Sequence, residues 1–253
     1  VSELRVLPDP SALSHTAAEE FLRLGSEAIA ANGRFAVALA GGTTPRPAYE
    51  RIAATWKSAP GGPLDWNRVY LFWGDERRVP PDDPQSNFGM AREALIGHVP
   101  IPQENVHPMP AMFPDIPEAA RMYEERLRSI LAPPADQPPR FDLILLGMGP
   151  DGHVASLFPG SAALDVKDRW VVENWVQRVE TWRLTMTFPV LNQAANVIVL
   201  VSGREKSRAL RRVVEGPHTR PLLPAEGLKP VDGRHLWLAD KAATDWKERQ
   251  RPS

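Results

Sequence analysis

Four apolar residues in a row, Leu143-Ile144-Leu145-Leu146, stand immediately before Gly147-Met148-Gly149-Pro150-Asp151-Gly152-His153. A strand with no polar residue on either side of its pleat must be covered on both faces, the condition of a central strand in a parallel α/β sheet. Ligands of such sheets bind beyond the carboxyl ends of the strands. Gly147, Gly149 and Gly152 are expected to let the backbone take positive φ and approach a ligand closely. The turn delivers Asp151 and His153 together to that edge, and an imidazole is a candidate acid or base near neutral pH. A structural histidine beside a tight turn fits the same pattern.

The rest of the chain repeats the strand-to-helix order. Leu4 to Leu7 reads as a short strand, and Asp9-Pro10 opens a helix whose stripe is Leu13, Ala17, Phe21, Leu24 and Ala28. Asn32-Gly33 ends it, and Phe35 to Ala40 is a second buried strand leading through a glycine turn to a helix with Ala48, Tyr49 and Ile52. Val69 to Trp73 is a third strand, followed by a charged, proline-rich loop to Asn87 and a helix around Ala91 to Leu95. A Pro-rich connection from His98 to Pro117 precedes an amphipathic helix marked by Ala120, Tyr123, Leu127, Ile130 and Leu131. Beyond His153, strands are predicted over Trp170–Val172, Leu184–Thr187, Asn196–Val201 and His235–Ala239, with a helix over Ser207–Val214. This order predicts an α/β fold: a Rossmann-like, doubly wound, mostly parallel sheet with helices on both faces. Eight strand-like runs would also suffice for a barrel. With no repeat and no flexible linker, residues 1–253 are expected to form a single domain.

Composition narrows the function. A formal net charge of -1 with interspersed signs points to neither a nucleic-acid nor a membrane-surface partner. The absence of cysteine removes disulfides, thiolate metal sites and thiol nucleophiles. No apolar stretch is long enough for a membrane helix, and Val1-Ser2-Glu3-Leu4-Arg5 has no signal-peptide character. A cytoplasmic location and no obligate protein partner are expected. The histidines show no metal-ligand spacing, so no metal site is predicted, and no G-x-S-x-G elbow marks a serine hydrolase.

Two further segments follow buried strands. Ala40-Gly41-Gly42-Thr43-Thr44-Pro45 joins a strand to a helix, offering free N–H groups, two hydroxyls and a helix dipole to an anion. It is neither a Walker motif nor a dinucleotide fingerprint. A plain tight turn would read the same way. Gly74-Asp75-Glu76-Arg77-Arg78-Val79-Pro80 is either a solvated loop or a site in which Arg77 or Arg78 holds phosphate or carboxylate. Asp75 there is a candidate for a sugar hydroxyl or a proton. Arg183 opens a strand, and Lys206 follows one near a helix start, as a phosphate ligand or an exposed lysine. The eight tryptophans are able to stack on sugar rings, but core or interface packing is expected for most of them.

These segments together resemble the 6-phosphogluconolactonase family, within the wider glucosamine-6-phosphate isomerase/6-phosphogluconolactonase group. The resemblance rests on Ala40 to Pro45, on Gly74 to Arg77 with Ser86-Asn87, and on Gly147 to Gly160. Arg183 to Thr187, Gly203 to Lys206 and Trp237 to Ala243 extend it along nearly the whole chain. It implies hydrolysis of a sugar-phosphate lactone, 6-phosphoglucono-δ-lactone, to 6-phosphogluconate in the oxidative pentose phosphate pathway, without a cofactor. His153 is implied as general base, with Asp151 and Asp75 as further catalytic candidates, either of which contacts sugar hydroxyls, orients His153 or fixes the loops. Gly41, Gly42, Thr43, Thr44, Arg77, Arg183 and Lys206 are implied to hold the substrate and its phosphate. Ala40 stands where the family commonly has serine. Deaminases of the wider group place a glutamate five residues after the histidine, and here that position is Phe158. Related folds also serve as sugar-phosphate sensors, but no helix-turn-helix or basic patch is evident.

Overall fold

The structure, a computed structural model, describes residues 2–59, 62–135, 137–218 and 220–248. Val1 and residues 249–253, which the single-domain expectation includes, lie outside them. The chain opens with β1 (Ser2–Leu7) and α1 (Pro10–Asn32). Asp9 caps α1 by accepting the Ala12 N–H at 2.8 Å, Pro10 pre-sets the first turn, and Gly33 ends the helix at φ 74°. β2 (Phe35–Leu39), α2 (Arg46–Thr55), β3 (Val69–Trp73), β4 (Asp75–Arg77), α3 (Asn87–Ala94) and α4 (Ile116–Leu131) follow. The second half contains β5 (Leu143–Gly147), β6 (Val171–Val176), β7 (Thr181–Met186), α5 (Phe188–Leu191), β8 (Asn196–Val201), α6 (Ser207–Glu215), β9 (Arg234–Asp240) and α7 (Asp245–Glu248).

Six strands form the main sheet in the order β1-β9-β8-β5-β2-β3, and every neighbouring pair is parallel. Every residue of β2 is buried, so the sheet is covered on both faces there, as its unbroken apolar sequence requires. The chain order reverses between β2 and β5. From β2 the next strand steps outward to β3, whereas β5, β8 and β9 step the other way. Such a switch point leaves a crevice beyond the carboxyl ends of the two central strands, because their connections depart in opposite directions. The turns after β2 and β5 are the two glycine-rich segments.

Two of the predicted strands do not join this sheet. β6 and β7 pair antiparallel with each other, and β7 pairs with β4, making a separate three-stranded sheet in the order β4-β7-β6. Asp75–Arg77, read in the sequence as charged loop, is therefore a strand. The register sets Asp75 opposite Thr185, Glu76 opposite Leu184 and Arg77 opposite Arg183. A buried acidic residue is tolerable in β4 because Glu76 is fully hydrogen-bonded. Its oxygens accept the N–H groups of Arg77, Asn87 and Phe88, each at 2.8 Å. The last two belong to the first turn of α3, where a carboxylate also meets the positive end of the helix dipole. Burial raises the Glu76 carboxyl, and these N–H groups oppose the rise. α3 begins at Asn87 rather than near Ala91, capped by the Ser86 hydroxyl on the Gly89 N–H at 2.9 Å. Trp66, Trp73 and Trp237 are buried in the core, while Trp175 and Trp182 are exposed on the small sheet. Among the described residues no helix is long and apolar enough to cross a membrane.

Candidate active site

A cleft at the β2/β5 switch point is lined by Ala40 to Pro45, Asp75, Arg77, Gly147 to Gly149, His153, Ala155, Arg183 and Lys206. It gathers every predicted site residue except Asp151, which stands directly behind His153. Arg78 is not among the lining residues; its Nη2 donates to Pro114 O at 3.3 Å.

The Asp151-Gly152-His153 turn is built for one side-chain pair. Gly149 N–H donates to His153 O at 2.9 Å and Gly152 N–H to Gly149 O at 3.0 Å, closing the loop on itself. A Cβ on Gly149 would lie 2.1 Å from His153 Cε1 and 2.2 Å from Nδ1, so the imidazole occupies the space that any other residue would fill. Gly152 is the one glycine of the three with positive φ, at 77°. The expectation of positive φ at Gly147 and Gly149 does not hold: Gly149 serves close approach and Gly147 opens onto the cleft.

Asp151 Oδ1 lies 2.6 Å from His153 Nδ1 and also accepts the His153 backbone N–H at 3.2 Å. Burial alone would raise the Asp151 carboxyl, but the hydrogen bond and charge of His153 outweigh it and hold the group down at about 2. An ionised carboxylate only accepts hydrogen bonds, so Nδ1 carries a proton, and in the neutral imidazole the lone pair is the one on Nε2. The other flank of the imidazole is covered by Phe158, stacked with centroids 4.2 Å apart at 27°. The Arg183 guanidinium lies over the same Phe158 ring at 5.5 Å, which brings it to the histidine end of the cleft. Burial lowers Arg183, with Asp75 opposing and Arg77 reinforcing the effect. Arg77, its cross-strand neighbour, is steadied by donating Nη1 to Gln85 O.

Among the described residues Asp75 makes no hydrogen bond to His153 and is engaged by other groups. Its Oδ2 accepts the Ser156 hydroxyl at 2.6 Å and its Oδ1 the Asn87 amide at 3.2 Å. Asn174 Nδ2 donates to Ser156 O at 2.7 Å, and Ser156 N–H donates to Thr185 Oγ1 at 3.2 Å. This buried network ties the loop after His153 to the small sheet and to α3. Its members Ser156, Asn174 and Thr185 were not singled out in the sequence, since polar residues distant along the chain carry no local signal of their meeting.

The β2–α2 turn lines the same cleft, and the N–H groups of Gly41, Gly42, Thr43 and Thr44 donate to no group among the described residues. Tyr49 anchors the turn, its hydroxyl donating to Ala40 O at 2.8 Å and accepting Ala40 N–H at 2.9 Å. Lys206 is half-buried, with Nζ donating to Thr44 Oγ1 at 3.2 Å. Burial lowers its ammonium pKa, with Glu205 and Asp240 opposing. A cation beside backbone N–H groups at a helix start is an arrangement that favours an anion. Among the described residues no group of three or more His, Asp or Glu is arranged to hold a metal ion.

Residues 8–237 match the family described as glucosamine-6-phosphate isomerases/6-phosphogluconolactonase. The chain belongs to that family. Within it, a 6-phosphogluconolactonase from a Nostoc species is 40% identical, the match covering 95% of this chain and 96% of the relative. The fold agrees with the solved structure of 6-phosphogluconolactonase from Trypanosoma brucei at a TM-score of 0.84 and 29% identity, over 97% of this chain and 98% of that one. The Thermotoga maritima 6-phosphogluconolactonase gives a TM-score of 0.80 at 33% identity, over 95% and 100% of the two chains. The family's description names both an isomerase and a hydrolase activity.

Proposed function

We propose that this chain hydrolyses 6-phosphoglucono-δ-lactone to 6-phosphogluconate, as a cytoplasmic enzyme of the oxidative pentose phosphate pathway, with His153 as general base. The observation that carries the reading is an imidazole held through Nδ1 by Asp151 at 2.6 Å, lining a cleft that is also lined by the Gly41–Thr44 turn and Lys206. The substrate's phosphate sits on the Gly41–Thr44 turn with Lys206, which brings the lactone carbonyl to His153 and lowers the entropy cost of attack. His153 Nε2 takes a proton from a water whose oxygen adds to the carbonyl carbon. Charge collects on the carbonyl oxygen, where the Arg77–Arg183 pair supplies positive potential. The ring C–O bond then breaks, and the departing ring oxygen takes the proton back from the imidazolium. Asp151 stabilises that imidazolium, and Asp75 acts as a positioning residue through Ser156 and Asn87. The reaction needs no cofactor in this scheme.

The alternative within the family is isomerisation or deamination of an amino-sugar phosphate. Ring opening there uses a carboxylate beside the histidine, and Phe158 presents an apolar ring to it at 4.2 Å. Acid release from the lactone, compared with ammonia release from glucosamine 6-phosphate, tests the two readings on one preparation. Lactone turnover without ammonia supports hydrolysis; ammonia without lactone turnover reverses the assignment.

A further inference from the structure

The catalytic turn is held from behind by a segment that lies outside the cleft. Ala225 N–H donates to Gly152 O at 2.9 Å. Leu223 packs against the same residue so closely that a Cβ on Gly152 would come within 2.9 Å of Leu223 Cβ. Both belong to the strap between α6 and β9, which contains the short 3-10 turn Pro224–Gly227. One carboxylate ties the strap together. Glu226 is 6% exposed; its oxygens accept the Leu223 N–H, meet His218 Nδ1 at 2.8 Å and lie 3.3 Å from Arg212 Nη2. Arg212 is on α6, and α6 begins directly after Lys206, whose Nζ contacts Thr44. Contacts therefore run without a break from the anion-binding turn through Lys206, α6, Arg212, Glu226 and the strap to Gly152 and His153.

A buried ion pair is a weak source of net stability, because desolvation offsets most of its attraction. Its strength is directional: a carboxylate with two partners on the strap and one on α6 admits one geometry, where an apolar contact admits many. We propose that Glu226 is a positioning residue for the reaction, clamping the strap so that Gly152 holds the Asp151–His153 pair at a set distance from the phosphate turn. The proposal rests on the reading of His153 as general base.

The test compares Glu226→Ala and Glu226→Gln with the wild-type enzyme and with Leu228→Ala, a cavity variant in the same region that leaves the clamp intact. Turnover, KM, 6-phosphogluconate affinity and the 15N-labelled His153 ring signals are measured well below each melting temperature. Displacing a catalytic group by about 1 Å costs on the order of 100-fold, so Glu226→Ala is expected to lose about 10- to 100-fold in kcat with product affinity nearly unchanged. Glu226→Gln, which keeps an acceptor for Leu223 N–H, recovers part of the loss and carries the test should the alanine variant fail to fold. The Nδ1–H signal is expected to broaden in Glu226→Ala but not in Leu228→Ala. Unchanged kcat and ring signals in the Glu226 variants, or equal losses in Leu228→Ala, overturn the proposal. A wild-type enzyme inert on the lactone refutes the functional reading instead, and the ring signals still report on the clamp.

Discussion

Replacing Asp151 by asparagine isolates the link between the turn's geometry and its chemistry. The shape is preserved, but an amide donates as well as accepts. Its NH2 group can hydrogen-bond to a bare Nδ1, moving the imidazole proton to Nε2, where it blocks base catalysis. The structure sets a scale for what is lost. Burial opposes and His153 favours ionisation, taking the carboxyl from 3.8 to about 2; at about 1.4 kcal/mol per pH unit that is on the order of 2 kcal/mol. The side chain is 33% exposed, and solvent screening reduces the figure to about 1–2 kcal/mol. That is roughly 5- to 30-fold in orientation and imidazolium stabilisation. Loss of the correct tautomer adds to it, up to the about 10²–10⁴-fold that a general base supplies. Asp151→Asn is therefore expected to lower kcat by about 10²- to 10³-fold while KM changes little, because the phosphate turn is untouched. The assay follows acid release at controlled pH with spontaneous hydrolysis subtracted. A kcat within two-fold of wild type would refute the assignment of Asp151 as the group that sets the tautomer. The same depressed carboxyl contributes stability that is complete above about pH 3.8 and is lost as the pH falls towards 2; Asp151→Asn should flatten that part of an acid-unfolding curve.

Gly149→Ala places a Cβ 2.1 Å from His153 Cε1, so the imidazole must move; turnover should fall at least as far as in Asp151→Asn with native circular dichroism, and retained activity would show that the ring position is not critical. Lys206→Ala removes the cation over the anion-binding turn and should raise KM and the 6-phosphogluconate dissociation constant by about 10-fold or more, with kcat less affected; unchanged binding moves Lys206 to a structural role. Because burial lowers the Lys206 ammonium pKa, phosphate affinity should weaken on the alkaline side earlier than for a free lysine, a trend that binding titrations against pH would detect or deny. Chelator treatment is expected to leave turnover unchanged, and a loss restored by added metal would contradict the cofactor-free scheme.

What was legible in the sequence was local. The run Leu143–Leu146 and the capped helix at Asp9-Pro10 announce themselves because burial on two faces and a helix start each leave a mark within a few residues. Asp151 and His153 are two apart, so their pairing needed only the turn. β4 was missed because its acidic centre reads as solvated; Glu76 is buried by virtue of N–H groups on α3, which begins 11 residues later. The choice between Asp75 and Asp151 as the orienting group was hidden for the same reason. Ser156 lies 81 residues from Asp75 and takes up that carboxylate, a meeting that no local pattern encodes. β6 and β7 pair directly across residues 177–180, but the small sheet is completed by β4 on the other edge of β7, a strand from much earlier in the chain.

The most direct measurement of the central claim is the pH-controlled rate of lactone disappearance, with the lactone generated in situ from glucose 6-phosphate, for wild type and His153→Ala side by side. The account predicts a large acceleration over spontaneous hydrolysis by the wild type. It predicts near-complete loss of that acceleration in His153→Ala, with 6-phosphogluconate still bound at close to wild-type affinity. Near-normal turnover by His153→Ala, or no acceleration by the wild type, would contradict it.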